Sequence, residues 1–273
     1  VFFARKYLHQ ECGLSVLGIR VATLTLKNVS KRFGGLYAVH DVNLDVAHGE
    51  RLGLIGPNGA GKTTLFNVIT GDLRETEGKI LLFGQDVTRT AVRKRVAIGL
   101  RRTYQKSSLF DSLTVGENLY LGILGPHVGR GRRHYDLVRL AERDKQRMDH
   151  AFEIARAVNL EKAFETRSGM LSHGERRQLE FGLAIAIEPR LVMFDEPVSG
   201  LSPEERKMVV NMLRSLPKDI TLLLIEHDMH VALSISERVV VLYEGHIIRE
   251  GTPAEISADS EVQRVYLGGT LDG

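Results

Sequence analysis

Apolar residues fall along this chain in three rhythms. Leu24 and Leu26, then Val42, Leu44 and Val46 between Asp41, Asn43 and Asp45, alternate with polar neighbours, which is the period of strands covered on one face. Leu52–Ile55, Leu191–Phe194 and Leu222–Ile225 are instead short continuous apolar runs, as expected of strands buried on both faces. Long helical stretches separate these three, so they are predicted to lie parallel in one sheet. Ile80-Leu81-Leu82-Phe83-Gly84 and the segment Val239 to Arg249 around Gly245 read as strand and turn beside it. Helix starts are marked by Thr114-x-x-Glu117, Ser202-Pro203-x-Glu205 and Thr252-Pro253-x-Glu255. All three have the spacing of a capping box, the last two with proline at the first helical position.

From about Leu109 to Ile187 the strand rhythm gives way to a helical one. Met148, Ala151, Phe152, Ala155 and Val158 form one side of a predicted helix. The expected architecture is α/β: a mainly parallel sheet with flanking antiparallel strands and an inserted helical lobe. The expected boundaries are a single domain over 22–269, with the core at 22–105 and 188–269 and the lobe at about 106–187. Residues 1–21 stand apart and are expected to be a disordered N-terminal extension. Their short, weakly apolar piece Gly13–Ile19 lacks the cleavage pattern of a signal peptide.

Composition narrows the setting. A chain of 273 residues buries a substantial core, and a net charge of +3 is too small to imply nucleic acid. One cysteine, Cys12, rules out an internal disulfide framework and suits a reducing compartment. No apolar run approaches the ~18 residues that cross a bilayer, so a membrane role would come through a partner. Arg130, Arg132, Arg133, Arg139, Arg143, Lys145 and Arg147 form a basic stretch broken by Asp136, Glu142 and Asp144. It reads as a solvated helix face, with contact to lipid headgroups or nucleic acid as the second reading.

The chemistry begins at Gly56-Pro57-Asn58-Gly59-Ala60-Gly61-Lys62-Thr63-Thr64, which fits G-x-x-x-x-G-K-[ST] between an apolar strand and a helix-like stretch. Glycines let the backbone wrap a polyphosphate, while N–H groups and the helix dipole supply positive potential. Lys62 would reach the β- and γ-phosphates and the Thr63 hydroxyl would bind Mg²⁺. Asp195 and Glu196 end a buried strand, at the edge where open α/β sheets collect ligands. Asp195 would hold Mg²⁺, directly or through water, and Glu196 would orient or deprotonate an attacking water. His227, after Leu222–Ile225, falls near the same edge, and Gln105 would coordinate the metal or the water.

Leu171-Ser172-His173-Gly174-Glu175 completes an ordered series: phosphate-binding loop, Gln105, L-S-x-G-E, a strand ending in Asp195-Glu196, then His227. From about Ala22 to Gly269 the chain resembles the ATP-binding cassette family, a branch of the P-loop NTPases. The resemblance implies ATP and Mg²⁺ as ligands and hydrolysis of ATP coupled to transport. It also implies a second cassette, as a homodimer or with a homologue, in which Ser172 and Gly174 contact the γ-phosphate in trans. Ser172-x-x-Glu175 is a capping box as well. Phe33, in Lys31-Arg32-Phe33-Gly34-Gly35-Leu36, occupies the place of the aromatic that stacks on adenine, its other reading being a packed strand-end aromatic. Two positions depart from the commonest family pattern: Glu175 replaces glutamine in the signature and Ser202 replaces the aspartate ending Ser199-Gly200-Leu201-Ser202. A carboxylate aimed at a γ-phosphate would be repelled, so Glu175 is expected to turn back to the helix cap, and Ser202 to keep the aspartate's capping role without its charge.

Within the family, Phe33-Gly34-Gly35-Leu36-Tyr37-Ala38-Val39, Ile225-Glu226-His227-Asp228-Met229 and Val265-Tyr266-Leu267-Gly268-Gly269 look like the ATPase subunits of bacterial branched-chain amino acid importers. That likeness implies permease subunits as direct partners and a solute-binding protein as an indirect one. It also implies a peripheral location on the cytoplasmic face of the inner membrane, with no nucleic acid bound. Importers of urea and short amides, and lipopolysaccharide exporters, are the alternative readings within the family. A soluble, non-transport cassette ATPase is the alternative of a different class. Lys106 to Leu113 lies where the permease's cytoplasmic helices would dock; Leu109 and Phe110 suit that contact or the core equally.

Overall fold

The computed structural model describes residues 22–103, 109–125 and 144–266. Gln105, most of the basic stretch and the N-terminal extension lie outside them. The strands divide into two sheets. In the first, β1 (Leu24–Phe33) and β2 (Leu36–Val46) form a long hairpin. β4 (Glu77–Leu82) pairs with the other edge of β1 and turns into the two-residue β5 (Gln85–Asp86). The alternation at Leu24, Leu26, Val42, Leu44 and Val46 is its covered face, each residue at most 5% exposed.

The second sheet has the order β10-β9-β3-β8-β7-β6. It comprises β3 (Arg51–Ile55), β6 (Leu100–Arg102), β7 (Leu191–Asp195), β8 (Thr221–Ile225), β9 (Arg238–Tyr243) and β10 (His246–Gly251). All neighbours are parallel except β9 and β10, which form a hairpin around Gly245. The continuous apolar runs reflect cover on two sides. Val192 and Phe194 of β7 and Leu222 and Leu224 of β8 join a helical core. Leu191, Met193, Leu223 and Ile225 face the opposite way, into the core shared with the first sheet and α1 (Lys62–Thr70).

The helical core is built by α3 (Val115–Leu124), α4 (Lys145–Ala157), α5 (His173–Ile185) and α6 (Pro203–Arg214), with α2 (Val92–Ala97) leading into β6. Between Leu109 and Ile185 the described residues hold no strand, only an isolated bridge between Thr114 and Arg167. On the far side, α7 (Met229–Ile235), α8 (Pro253–Ala258) and α9 (Ser260–Tyr266) cover Ile55, Val239 and Val241. Capping boxes close at Thr114, Ser172, Ser202 and Thr252, each with both reciprocal hydrogen bonds present.

One expected face needs correction. On α4 the buried stripe is Ala151, Ile154, Ala155 and, just past the helix, Val158, while Phe152 is 40% exposed. At about 100° per residue, Phe152 is turned to the edge of the i, i+3, i+4, i+7 stripe. It packs edge-on against Phe164, ring centroids 5.2 Å apart.

The register fixes the functional edge. Ile225 is level with both Leu54 of β3 and Asp195 of β7. Three parallel strands therefore end together, and Gly56, Glu196 and Glu226 emerge side by side.

Candidate active site

The loop after β3 is shaped by backbone geometry that excludes side chains. Gly56 has φ 151° and Gly61 φ 103°. A Cβ on Gly56 would lie 2.1 Å from the Leu242 carbonyl oxygen, and one on Gly61 2.2 Å from that of Ala38. Ala60 N–H closes back on the Pro57 carbonyl at 3.2 Å, and Gly245 N–H donates to the Ala60 carbonyl at 3.0 Å. The helix that follows, α1, has Gly61 at its N-cap with no side-chain cap and no acid in its first turn, so its leading N–H groups and positive dipole end face the loop. Asn58, Gly59 and Thr63 are exposed there, and Pro57 and Thr64 half-buried. Lys62 is folded back, its Nζ donating to the carbonyl oxygens of Gly56 at 2.7 Å and Pro57 at 2.9 Å. Burial pulls its pKa below the usual lysine value, against the opposing charges of Glu196 and Asp195.

From α9 the Tyr266 hydroxyl accepts Gly56 N–H at 2.7 Å, and burial pushes its pKa up to about 12. The Val265-Tyr266-Leu267 pattern marks this residue in the sequence, but nothing local reveals that its partner is the phosphate-type loop.

Across the sheet, Asp195 is buried and pairs through Oδ2 with Arg102 Nη2 at 2.9 Å. Arg102, at the end of β6, also meets Asn67 and Asp72 and lies over the Phe66 ring. Burial raises the Asp195 pKa and outweighs the lowering by Arg102. Its Oδ1 is buried without a hydrogen-bond partner. The Thr63 hydroxyl and the Asp195 carboxylate oxygen left unsatisfied are both hard oxygen donors, the kind that suits Mg²⁺. Gln105, the third expected ligand, lies outside the described residues.

Glu196 follows at φ 50°, a left-handed conformation rare outside glycine, and its N–H donates to the Ile225 carbonyl at 2.9 Å. His227 is half exposed, with Nδ1 3.8 Å from Glu226 Oε2. Asp228 caps α7 through Val231 N–H and pairs with Arg206 at 2.6 Å. Lys62, Asp195 and Glu196 are thus within one another's electrostatic reach, and Glu196 in turn acts on Glu226.

Phe33 sits at the tip of the β1–β2 hairpin, 50% exposed, with Lys31 Nζ 5.0 Å from its ring centroid. Five residues on, the Ala38 carbonyl abuts Gly61. Ser172 caps α5, accepting Glu175 N–H at 3.3 Å, while the Glu175 carboxylate accepts Ser172 N–H at 2.8 Å. Glu175 therefore does turn back to the cap, and Ser202 caps α6 in the same way. A Cβ on Gly174 would lie 2.3 Å from Glu205 Oε1, and Gly174 N–H points to that carboxylate. Among the described residues no hydrogen bond or ion pair joins Ser172 or Gly174 to the phosphate-type loop of the same chain. Arg102, Glu226 and Tyr266 are the site residues that sequence reasoning missed.

Comparison with known proteins agrees with this geometry. The family model described as ABC transporter matches residues 39–199, and that described as branched-chain amino acid ATP-binding cassette transporter matches 247–272. The chain is 38% identical over 251 residues to the high-affinity branched-chain amino acid transport ATP-binding protein BraF of Pseudomonas aeruginosa, covering 90% of this chain and 97% of that one. It is 34% identical over 251 residues to the lipopolysaccharide export system ATP-binding protein LptB of Escherichia coli, covering 91% and 98%. Among solved structures, the ADP conformation of the ATP-binding cassette MJ1267 superposes with a TM-score of 0.79 at 30% identity, over 90% of this chain and 99% of that one. The cassette MJ0796, solved as a dimer in a post-hydrolysis state with ADP and Pi, gives 0.71 at 25% identity, covering 84% and 98%.

Proposed function

We propose that this chain, which belongs to the ABC transporter family as an ATP-binding cassette ATPase, powers uptake of branched-chain amino acids through a membrane permease. The observation that carries the enzymatic part is the level ending of β3, β7 and β8, which brings Lys62, Asp195 and Glu196 to one edge. The cargo reading is supported by the likeness of residues 247–272 to the branched-chain transporter C-terminus and by the likeness to BraF.

In this reading the triphosphate lies along Gly56–Thr64, held by backbone N–H groups and the α1 dipole. Lys62 exchanges its two carbonyl acceptors for β- and γ-phosphate oxygens. Thr63, Asp195 and Gln105 would hold Mg²⁺, which neutralises phosphate charge. Glu196 orients and deprotonates the attacking water, His227 donates to the γ-phosphate, and Phe33 stacks on adenine. Ser172 and Gly174 of a second cassette complete the site, Gly174 N–H leaving Glu205 for the phosphate. ATP held between two cassettes favours their closed arrangement, and this differential affinity moves the permease; hydrolysis releases it. No helix among the described residues is long and apolar enough to cross a membrane, so attachment runs through the permease, with a solute-binding protein delivering the cargo. The likeness to LptB, over nearly the same span, supports a second reading in which the permease is a lipopolysaccharide exporter.

Glu196→Gln is expected to bind MgATP normally and to turn over ~10²- to 10⁴-fold more slowly, as loss of a general base does, whereas Lys62→Ala weakens binding itself. In vesicles carrying the complex purified in mild detergent, labelled leucine is taken up with ATP. Normal turnover in Glu196→Gln removes the base role. Urea uptake without leucine uptake, or co-purification with lipopolysaccharide-export partners, overturns the cargo while leaving the ATPase.

A further inference from the structure

Beside the turn that carries Glu196 lies a carboxyl group for which the proposed reaction has no use. Glu226 follows the last residue of β8 with no exposed surface. Its Oε1 accepts Val198 N–H at 3.3 Å, gripping the segment two residues beyond Glu196. Its Oε2 is buried without a hydrogen-bond partner and stands 3.8 Å from His227 Nδ1. An unsatisfied buried oxygen aimed at an imidazole nitrogen calls for a reason.

We infer that Glu226 is a positioning residue that sets the tautomer of His227 while holding the Glu196 turn, so that the imidazole presents Nε2–H to the phosphate. The inference rests on His227 facing the γ-phosphate, as proposed above. The hydrogen-bond arithmetic is direct. When Glu226 and His227 share one proton, either Oε2–H donates to Nδ1 or a carboxylate faces an imidazolium. In both cases Nε2 bears hydrogen and donates away from Glu226. When that proton is lost, the carboxylate accepts from Nδ1–H and Nε2 is left as a lone pair, which a phosphate oxygen repels.

The surroundings favour the proton. Burial is the main cause, and the charges of Glu196 and Asp228 add to it, pushing the Glu226 pKa to about 7 against the lowering by the backbone N–H groups of Val198 and His227. The other charges facing this corner are Arg206 of α6, which is paired with Asp228, and Lys62 of α1, which faces Glu196. Glutamine at 226 reproduces the protonated state permanently: its oxygen accepts Val198 N–H and its amide donates to Nδ1.

The test follows the His227 ring ¹⁵N resonances of the full chain against pH, without nucleotide, in wild type and Glu226→Gln. The ring nitrogen shifts report which nitrogen carries the proton, so wild type is expected to exchange Nε2–H for Nδ1–H as Glu226 loses its proton, and the variant to keep Nε2–H. The reciprocal variant, His227→Gln at an exposed position, should shift the Glu226 ¹³Cδ titration. In steady-state ATPase assays the kcat ratio of Glu226→Gln to wild type should rise about threefold or more between pH 6 and 8.5, the range in which the shared proton is lost. The same ring tautomer in wild type and Glu226→Gln at every pH, or an unmoved ¹³Cδ titration, overturns the coupling. A kcat ratio constant with pH overturns its role in the reaction. Absence of ATPase activity in wild type refutes the proposed function instead, and leaves the resonance result to stand by itself.

Discussion

Arg102 decides how Asp195 can exist at all. The carboxylate is 1% exposed in its side chain and the guanidinium 5%, and a charge so placed needs its partner. Arg102→Met is expected to destabilise the fold by about 3–5 kcal/mol at neutral pH, the usual result of removing one member of a buried pair. The sign with pH follows from the Asp195 pKa, already raised and raised further without the arginine. An acid whose folded pKa lies above its unfolded value is stabilising below the unfolded value and loses that contribution as pH rises. The variant's deficit, measured by urea unfolding, should therefore shrink from pH 7.5 toward pH 4; a deficit independent of pH would detach it from Asp195. The gathering of Lys62, Asp195 and Glu196 at one edge was readable in the chain because it is set locally, by a strand before and a turn after. Arg102, Glu226 and Tyr266 were not. Arg102 finds Asp195 across 93 positions and Tyr266 finds Gly56 across 210, and no local spacing encodes such a pairing.

At the scale of elements, helix starts carry two duties with one device. Ser172 and Ser202 open α5 and α6 with the same reciprocal box, yet only the first is assigned a phosphate from a second cassette. Ser172→Ala and Ser202→Ala should each lower stability by ~1 kcal/mol in thermal or urea unfolding. Only Ser172→Ala should reduce ATPase turnover beyond what the lost stability explains; equal turnover in the two variants would leave Ser172 as a cap and nothing more. All four boxes were legible as sequence because capping is a contact over three residues. The three-residue β6 was not, since Leu100-Arg101-Arg102 has no strand pattern and becomes a strand only through pairing with β7. The face of α4 was misjudged at Phe152, where an aromatic at the stripe's edge reads as core until its neighbour Phe164 is known.

In the whole molecule, the proposed function assigns the phosphate-type loop and the signature serine to two different half-sites, and a mixture of variants tests this. Ser172→Arg combined with Lys62→Ala should give mixed dimers with one intact composite site and ATPase activity above either variant alone. Mixed dimers that form without such gain would argue for sites that act only as a pair, or for no trans contact. A parallel sheet flanked by antiparallel strands was visible in the apolar rhythms, but the division into two sheets and the strand order were not, because β3 takes its neighbours β8 and β9 from the far end of the sequence. That order, together with the Tyr266 hydroxyl on Gly56 N–H, has a consequence for biosynthesis. The phosphate-type loop is translated 210 residues before the hydroxyl that seats it. At about 5–20 residues per second this is a gap of roughly 10–40 s. During that interval the nascent loop lacks both neighbouring strands for most of the time and its tyrosine for all of it, so the loop first has all the supports its own chain gives it after the ribosome has passed residue 266.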